Sequence, residues 1–356
     1  MNRRILFTGG GTAGHVTPNL ALMAALATEG YDVQYAGSRT GIEQRLVSSR
    51  GFAYHALPTG KLRRYLSWEN FLDAFRVLAG ILVGWRLVRR LAPALVFSKG
   101  GFVSVPVVFG ARLAGVPVIA HESDLTPGLA TRLVAAHVAL VCTSFADTRV
   151  PGARRVQHTG TPVRPELMAG KAGRGRTYAG LEGDRPVLLI VGGSLGSAFL
   201  NTRVLEALDQ LVARFQVVHV CGRGHLRPEI RVPGYVQYEF LAEPYADVLA
   251  AADVVISRAG ANAVFELLAT AKASLLVPLS TAASRGDQVD NALWMAERGL
   301  ARVVTESALT SAALIEELDA LMEVAPQLRM RMKATPQPDA MSTLLGLIRA
   351  QVKAGR

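Results

Sequence analysis

Residues 7–21 read FTGGGTAGHVTPNLA, and the fold turns on what flanks those glycines. A short β-rich run, RILFT (4–8), leads in. An apolar helical pattern leads out, with Thr17-Pro18 as N-cap and first helical residue and Gly30 as the stop. Strand, glycine turn and helix make the opening of a βαβ unit. The spacing Gly9-x-Gly11-x-x-Gly14 also matches a dinucleotide fingerprint. An NAD site wants an acid about 20 residues further on, at the end of the second strand, to hold the ribose. That strand ends Ala36-Gly37-Ser38-Arg39, so an NADP-dependent oxidoreductase survives only as a remote alternative. No Gly-Lys-Ser/Thr follows, which excludes a P-loop. The loop does offer free N–H groups at a helix N-terminus, which bind diphosphates. It also carries His15, whose neutral imidazole can take a proton near pH 7.

Working outward, DVQYAG, AYHALP, ALVFSKG, PVIAHES and VALVCTS read as further strands, with helical stretches between most of them. That order predicts an α/β chain with a doubly wound parallel sheet. The rhythm pauses near GTPVRPE (160–166), and the glycine- and arginine-rich AGKAGRGRTYAGLEGDRP reads as a linker or loop. It restarts with VLLIVGGSLGS, again strand and glycine turn, and continues through FQVVHVCG, DVVISRAG and ASLLVPL. Two βα-type halves follow, each opening with its own glycine turn, as domains 1–162 and 163–337, with a final helix over 338–356 expected to pack back on the first.

The 356 residues exceed what one core usually organises. Formal charge is +11, and residues 1–160 hold nearly all of it: 18 Lys/Arg against 8 Asp/Glu. A basic half faces something anionic: a phosphorylated substrate, acidic lipid or nucleic acid. No nucleic-acid-binding motif is present, so a nucleic-acid partner is not expected. Cys142 and Cys221 sit in strand-like runs and read as reduced core residues of a cytosolic protein. The start MNRR is not that of a signal peptide, and no apolar run reaches the roughly 18 residues that span a bilayer.

Two more loops stand at carboxyl ends of strands in the first half. FSKGGFVSVP (97–106) is a glycine turn with Lys99 and Ser104; AHESDLTPGLA (120–130) places His121, Glu122, Ser123 and Asp124 before a helix. Parallel strands bring these loops to the edge that carries His15, a setting for a phosphate-bearing substrate. Between the first loop and these two, residues 60–91 hold seven basic residues against two acidic, with Trp68, Phe71, Phe75 and Trp85 at helical spacing. The stretch reads either as a helix buried on the sheet or as a surface lying on an anionic membrane. In the second half GGSLGS is another phosphate cradle. SRAGANAVFELL (257–268) places Glu266 where it can accept both hydroxyls of a ribose, and SRGDQVDNA (284–292) supplies Gln288 and Asn291 to read sugar hydroxyls. No His, Cys or Asp cluster has metal-ligand spacing. These features suggest a nucleotide-sugar enzyme, with the nucleotide on one domain, an anionic acceptor on the other and chemistry in the cleft.

Nearly the whole chain resembles the MurG family of peptidoglycan glycosyltransferases, in its low-GC Gram-positive form. GGGTAGHVTPNLAL, TGKLRRYLSWENFLDAFRV, FSKGGFVSVPVV, HESDLTPGLA, GGSLGS, YEFL, SRAGANAVFE and SRGDQVDNA fall in family order. The resemblance implies a GT-B fold of two Rossmann-like domains and an inverting transfer without metal or other cofactor, from UDP-GlcNAc to the MurNAc C4 hydroxyl of lipid I, giving lipid II. It implies a peripheral enzyme on the cytoplasmic face of the cell membrane. It places Arg164 and Ser194 on the donor phosphates, Leu241 against uracil, and Ala261, Asn262, Ala263, Val264, Phe265 and Glu266 along the nucleotide. Gln288 falls on GlcNAc, and Thr12, Ala13 and Gly14 reach the donor sugar. His15 becomes the general base, with Asp124 and then Glu122 as alternatives. The turns around Gly10, Gly11, Gly100 and Gly101 receive the acceptor diphosphate, and Lys61, Arg63, Arg64, Trp68, Phe71, Phe75 and Trp85 meet the membrane. Two positions depart from the family pattern: Ala13 replaces a glycine, and Asp124 replaces an asparagine that contacts GlcNAc. Another GT-B UDP-sugar transferase, or a UDP-GlcNAc epimerase, is the alternative reading.

Overall fold

The computed structural model describes residues 2–58, 68–193, 196–281 and 284–354, with side chains for all of these except 13 and 68–78. The chain divides into two units: Met1–Pro162 with Pro338–Arg356, and Val163–Gln337. Among the described residues, unit 1 holds seven strands: β1 (Arg4–Thr8), β2 (Asp32–Ser38), β3 (Ala53–Leu57), β4 (Leu95–Ser98), β5 (Val118–Glu122), β6 (Leu140–Thr143) and β7 (Val156–His158). The described residues of unit 2 hold six: β8 (Val187–Val191), β9 (Gln216–Val220), β10 (Tyr235–Tyr238), β11 (Val254–Ser257), β12 (Ser274–Leu276) and β13 (Arg302–Val303). The sheet orders are β3-β2-β1-β4-β5-β6-β7 and β10-β9-β8-β11-β12-β13. All pairings are parallel. Each sheet therefore reverses direction beside its first strand, and ligands of doubly wound sheets bind at the carboxyl side of that reversal. In unit 1 the reversal lies between β1 and β4, whose carboxyl ends carry the Gly9–Gly14 and Gly100–Gly101 turns.

Side chains alternate across β1. Ile5 and Phe7 join a core with Leu22, Met23, Leu26 and Phe97. Leu6 joins a second core with Val88, Val96, Val107 and Val108. This is the period of two expected of a strand covered on both faces. The helix Ala340–Ala354 contributes Leu344, Leu345 and Ile348 to the first of these cores, and Arg349 pairs with Glu29. The helix Trp68–Leu91 packs on Ser104–Leu113 through glycines: a Cβ on Gly84 would lie 2.6 Å from the Pro106 carbonyl oxygen, and one on Gly110 2.5 Å from the Trp85 nitrogen. With Leu87 and Val88 buried, the C-terminal part of that helix is a covering layer of the sheet.

Three sequence expectations change. Thr17 lies inside the first helix, Thr17–Thr28, rather than capping it; a 3-10 turn over Ala13–His15 leads in, and Val16 holds the cap position. The glycine-rich linker contains a helix, Ala172–Tyr178, whose glycines do packing work: a Cβ on Gly175 would collide with the Asp247 carbonyl of the helix Tyr245–Ala251. Strands β7, β10 and β13 were not anticipated. All three are edge strands of two to four residues with no fully buried position.

Candidate functional site

At the carboxyl end of β1 the chain turns so sharply that His15 reaches back to its own loop. Its Nδ1 lies 3.1 Å from the Gly10 carbonyl oxygen and 3.2 Å from Thr12 Oγ1. A carbonyl only accepts, so Nδ1 carries the proton and Nε2 keeps its lone pair. Burial holds the His15 pKa below its ordinary 6.5; the charge of Asp124 pulls it back up, and that of Lys99 adds to the lowering. A neutral imidazole with an acceptor nitrogen is the form a general base requires.

The loop is held from below. Glu43, fully buried in the first turn of the helix Ile42–Ser48, accepts from Ser38 N (3.1 Å), Ser38 Oγ and Gly11 N (3.4 Å). A Cβ on Gly10 would come within 2.7 Å of the Glu43 carboxylate. From the side, the second glycine turn leans on the first. Gly101 has φ +78, and a Cβ there would collide with the Gly10 carbonyl oxygen. The two turns thus meet backbone to backbone, whereas Gly11, at φ +88, has open space above it.

The third loop departs from expectation at Glu122. Only 5 % exposed, its carboxylate accepts from Ser123 N (2.9 Å), Asp124 N (3.1 Å) and Gly128 N (3.0 Å). Its lone pairs are spent on closing the 122–128 turn, so it does not fit as a base. Asp124 is half-buried at the start of that turn and close enough for its charge to act on His15. Beneath it Lys99, 1 % exposed, reaches His121 and Ser123. The sequence reading counted this lysine among the loop groups that meet a phosphate-bearing substrate; its burial leaves no periodic signature, and its interior partners were not foreseen.

In unit 2 the turn after β8 passes through Gly192 and Gly193 to Ser197, whose hydroxyl caps the helix Ala198–Glu206 at Leu200 N; Ser194 lies outside the described residues. The buried Arg258 ties this cap to Glu306 (2.6 Å) and to the Val277 carbonyl (3.0 Å), a support that the SRAGANA motif did not reveal. Arg164 and Glu266, expected on separate parts of a nucleotide, pair with each other at 3.0 Å. The guanidinium also lies 5.5 Å from the Tyr245 ring centroid. Burial raises the Glu266 pKa and Arg164 opposes it. In the helix Ala261–Ala269, Ala261, Val264 and Phe265 turn into the core, while Asn262, Ala263 and Glu266 are half-buried. Leu241 is buried beside an exposed Phe240. Gln288 accepts from Leu279 N at 3.1 Å. Asn291 is the second correction: fully buried, it donates to the Ala259 carbonyl at 3.2 Å and braces the β11 turn from inside instead of facing a sugar.

Of the proposed membrane residues, Lys61, Arg63 and Arg64 lie outside the described residues, as do the side chains of Trp68, Phe71 and Phe75; Trp85 is half-buried under Arg89. No described helix is long and apolar enough to cross a membrane. Among the described residues no group of three His, Cys, Asp or Glu could hold a metal ion.

Comparison with known proteins follows the two sheets. Residues 5–143 match the glycosyltransferase family 28 N-terminal domain, and residues 187–344 the family 28 C-terminal domain. The class is therefore a hexosyltransferase of the GT-B type, built from two Rossmann-like domains. A Clostridium kluyveri protein is 46 % identical over 97 % of this chain and 99 % of its own length; one from Geobacillus kaustophilus is 44 % identical over 98 % of each. Both are named UDP-N-acetylglucosamine--N-acetylmuramyl-(pentapeptide) pyrophosphoryl-undecaprenol N-acetylglucosamine transferase. The crystal structure of Acinetobacter baumannii MurG superposes with a TM-score of 0.77 at 27 % identity, covering 98 % of this chain and 99 % of that one. The chain belongs to the MurG family. The calicheamicin glycosyltransferase CalG4, at 16 % identity and a TM-score of 0.70, shares the fold.

Proposed function

We infer that the chain transfers N-acetylglucosamine from UDP-N-acetylglucosamine to the C4 hydroxyl of N-acetylmuramic acid in lipid I, yielding lipid II. The observation that carries this is likeness to relatives bearing that name over nearly the full length of both chains. The site chemistry supports it. His15 Nε2 accepts the hydroxyl proton, and the oxygen attacks C1 of the sugar from the face opposite UDP, so the new link is β. Asp124 is the alternative base. The open backbone at Gly11, with Gly10, Gly100 and Gly101, is where we propose the acceptor diphosphate lies. In unit 2 we propose that Glu266 takes the ribose hydroxyls and Arg164 turns from Glu266 to the leaving diphosphate, whose charge it stabilises without a metal. Thr12, Gly14, Leu241 and Gln288 complete the donor contacts in this reading.

The basic first half and the helix Trp68–Leu91 support a further proposal, that the enzyme works peripherally on an anionic membrane from its cytoplasmic face. The deciding assay is transfer of labelled GlcNAc from UDP-GlcNAc to a short-chain lipid I analogue. Product with lipid I but not with soluble sugars supports the reading. Epimerised UDP-sugar, or transfer to a soluble sugar alone, refutes it.

A further inference from the structure

Lys99 is as deeply buried as the phenylalanine two residues before it, at the carboxyl end of β4 where the doubly wound sheet reverses. Its Nζ donates to His121 Nδ1 at 2.6 Å and to Ser123 Oγ. His121 is oriented to accept, because its Nε2 donates to the Gly160 carbonyl oxygen at 2.9 Å. Both partners of the lysine are neutral, and among the described residues no carboxylate pairs with it. Glu122, the acid beside them, is taken up by three backbone N–H groups. An interior cation without a carboxylate partner costs stability, and an apolar side chain of similar length would fill the same space. The fold alone gives no reason for it.

Its position does. Lys99 begins the glycine turn that leans on Gly10, and Ser123 precedes Asp124. Gly160 lies where the chain leaves unit 1, and a Cβ there would sit 2.9 Å from Pro338 Cγ, where the chain returns. One side chain thus joins the glycine turn, the carboxylate loop and the chain crossing. We propose that Lys99 is a positioning residue of the transfer reaction: it fixes the Ser123–Asp124 segment relative to His15. From that place its charge also disfavours the His15 imidazolium. This rests on the reading of His15 as base.

The groups that act on His15 are Asp124 and Glu122, which favour the imidazolium, and Lys99, which with burial disfavours it; the Gly10 carbonyl also favours it. Lys99 is itself drawn down to about 7 by burial, against the pull of Glu122, Asp124 and Cys142. Its charge is present below that pH, where His15 would otherwise protonate. In Lys99→Met the His15 pKa rises, and the acid limb of kcat/KM moves upward by about half to one pH unit.

The test compares wild type, Lys99→Met and Ser123→Ala. Its readouts are pH–rate profiles with a lipid I analogue, the His15 imidazole titration by 15N NMR, Tm and the KM for UDP-GlcNAc. Lys99→Met is expected to melt at or above wild type at pH 7 and to keep its donor KM, with limb and His15 titration both displaced upward. Ser123→Ala, which keeps the charge and loosens its hold, is expected to lower kcat about threefold to tenfold with the limb in place. An unmoved His15 titration in folded Lys99→Met overturns the electrostatic part, and an unchanged kcat in Ser123→Ala overturns the positioning part. A titration that moves while the activity limb stays overturns the reading of His15 as base, and the catalytic claim for Lys99 with it.

Discussion

At the scale of single residues, the sequence marked side chains by their neighbours, and the structure sorts them by where their lone pairs and protons go. His15 was legible because it follows a glycine turn. What made it suitable was not: the Gly10 carbonyl that fixes its tautomer depends on a turn geometry that spacing does not reveal. His15→Ala should retain UDP-GlcNAc affinity and lose turnover by about 10²–10⁴-fold, read by calorimetry and a transfer assay on the same preparation. Glu122 and Asp124 stand two residues apart in HESD, ranked there only as second and third choices of base, and the structure shows Glu122 closing the 122–128 turn. Glu122→Gln should therefore cost about 1–3 kcal/mol of stability, as a buried anchor losing charge-assisted bonds to backbone N–H. Asp124→Asn should change turnover with Tm nearly unmoved. Equal melting losses in the two variants would show that Glu122 has no special hold on the loop. The pairing of Arg164 with Glu266, 102 positions apart, was beyond any local pattern.

At the scale of elements, apolar periodicity identified the strands buried on both faces and failed at β7, β10 and β13, which have no such run to show. The glycine-rich stretch after Pro165 was misread for a related reason. Glycine there serves close helix packing, at Gly170 and Gly175 against the helix Tyr245–Ala251, and composition alone cannot separate that use from a flexible linker. The same distinction yields a prediction for the two glycine turns. Gly11 and Gly101 both have positive φ, but only Gly101 has a carbonyl where a side chain would stand. Gly11→Ala carries the left-handed backbone penalty alone, about 1–2 kcal/mol. Gly101→Ala adds a clash that must push the turns apart, so it should melt lower than Gly11→Ala and lose more turnover with lipid I. Paired melts and assays of the two variants check this, and equal effects would mean that the turns are not mechanically joined.

At the scale of the whole molecule, the last helix and the buried histidines set how the enzyme stands up to its surroundings. Leu344 and Ile348, at most 1 % exposed, complete the core under the first helix. Leu344→Ala should cost about 2–5 kcal/mol, measured by urea unfolding. His219, buried between Tyr235 and Asn201, is lowered by burial to about 4, and His121 lies well below 6.5. Below pH 6.5 the unfolded chain binds protons that these folded sites refuse. Their contribution is therefore complete above 6.5 and is lost as pH falls toward 4. Melting temperature should decline across that window, less steeply in His219→Asn. Above these scales stands the claim that two Rossmann-like units serve one glycosyl transfer with His15 as its base. The measurement that tests it most directly is the rate of labelled GlcNAc transfer from UDP-GlcNAc to a lipid I analogue by wild type and by folded, donor-binding His15→Ala. The account predicts lipid II from the wild type and a loss of at least about a hundredfold in the variant. No lipid II from the wild type, or near-normal turnover without His15, would contradict it.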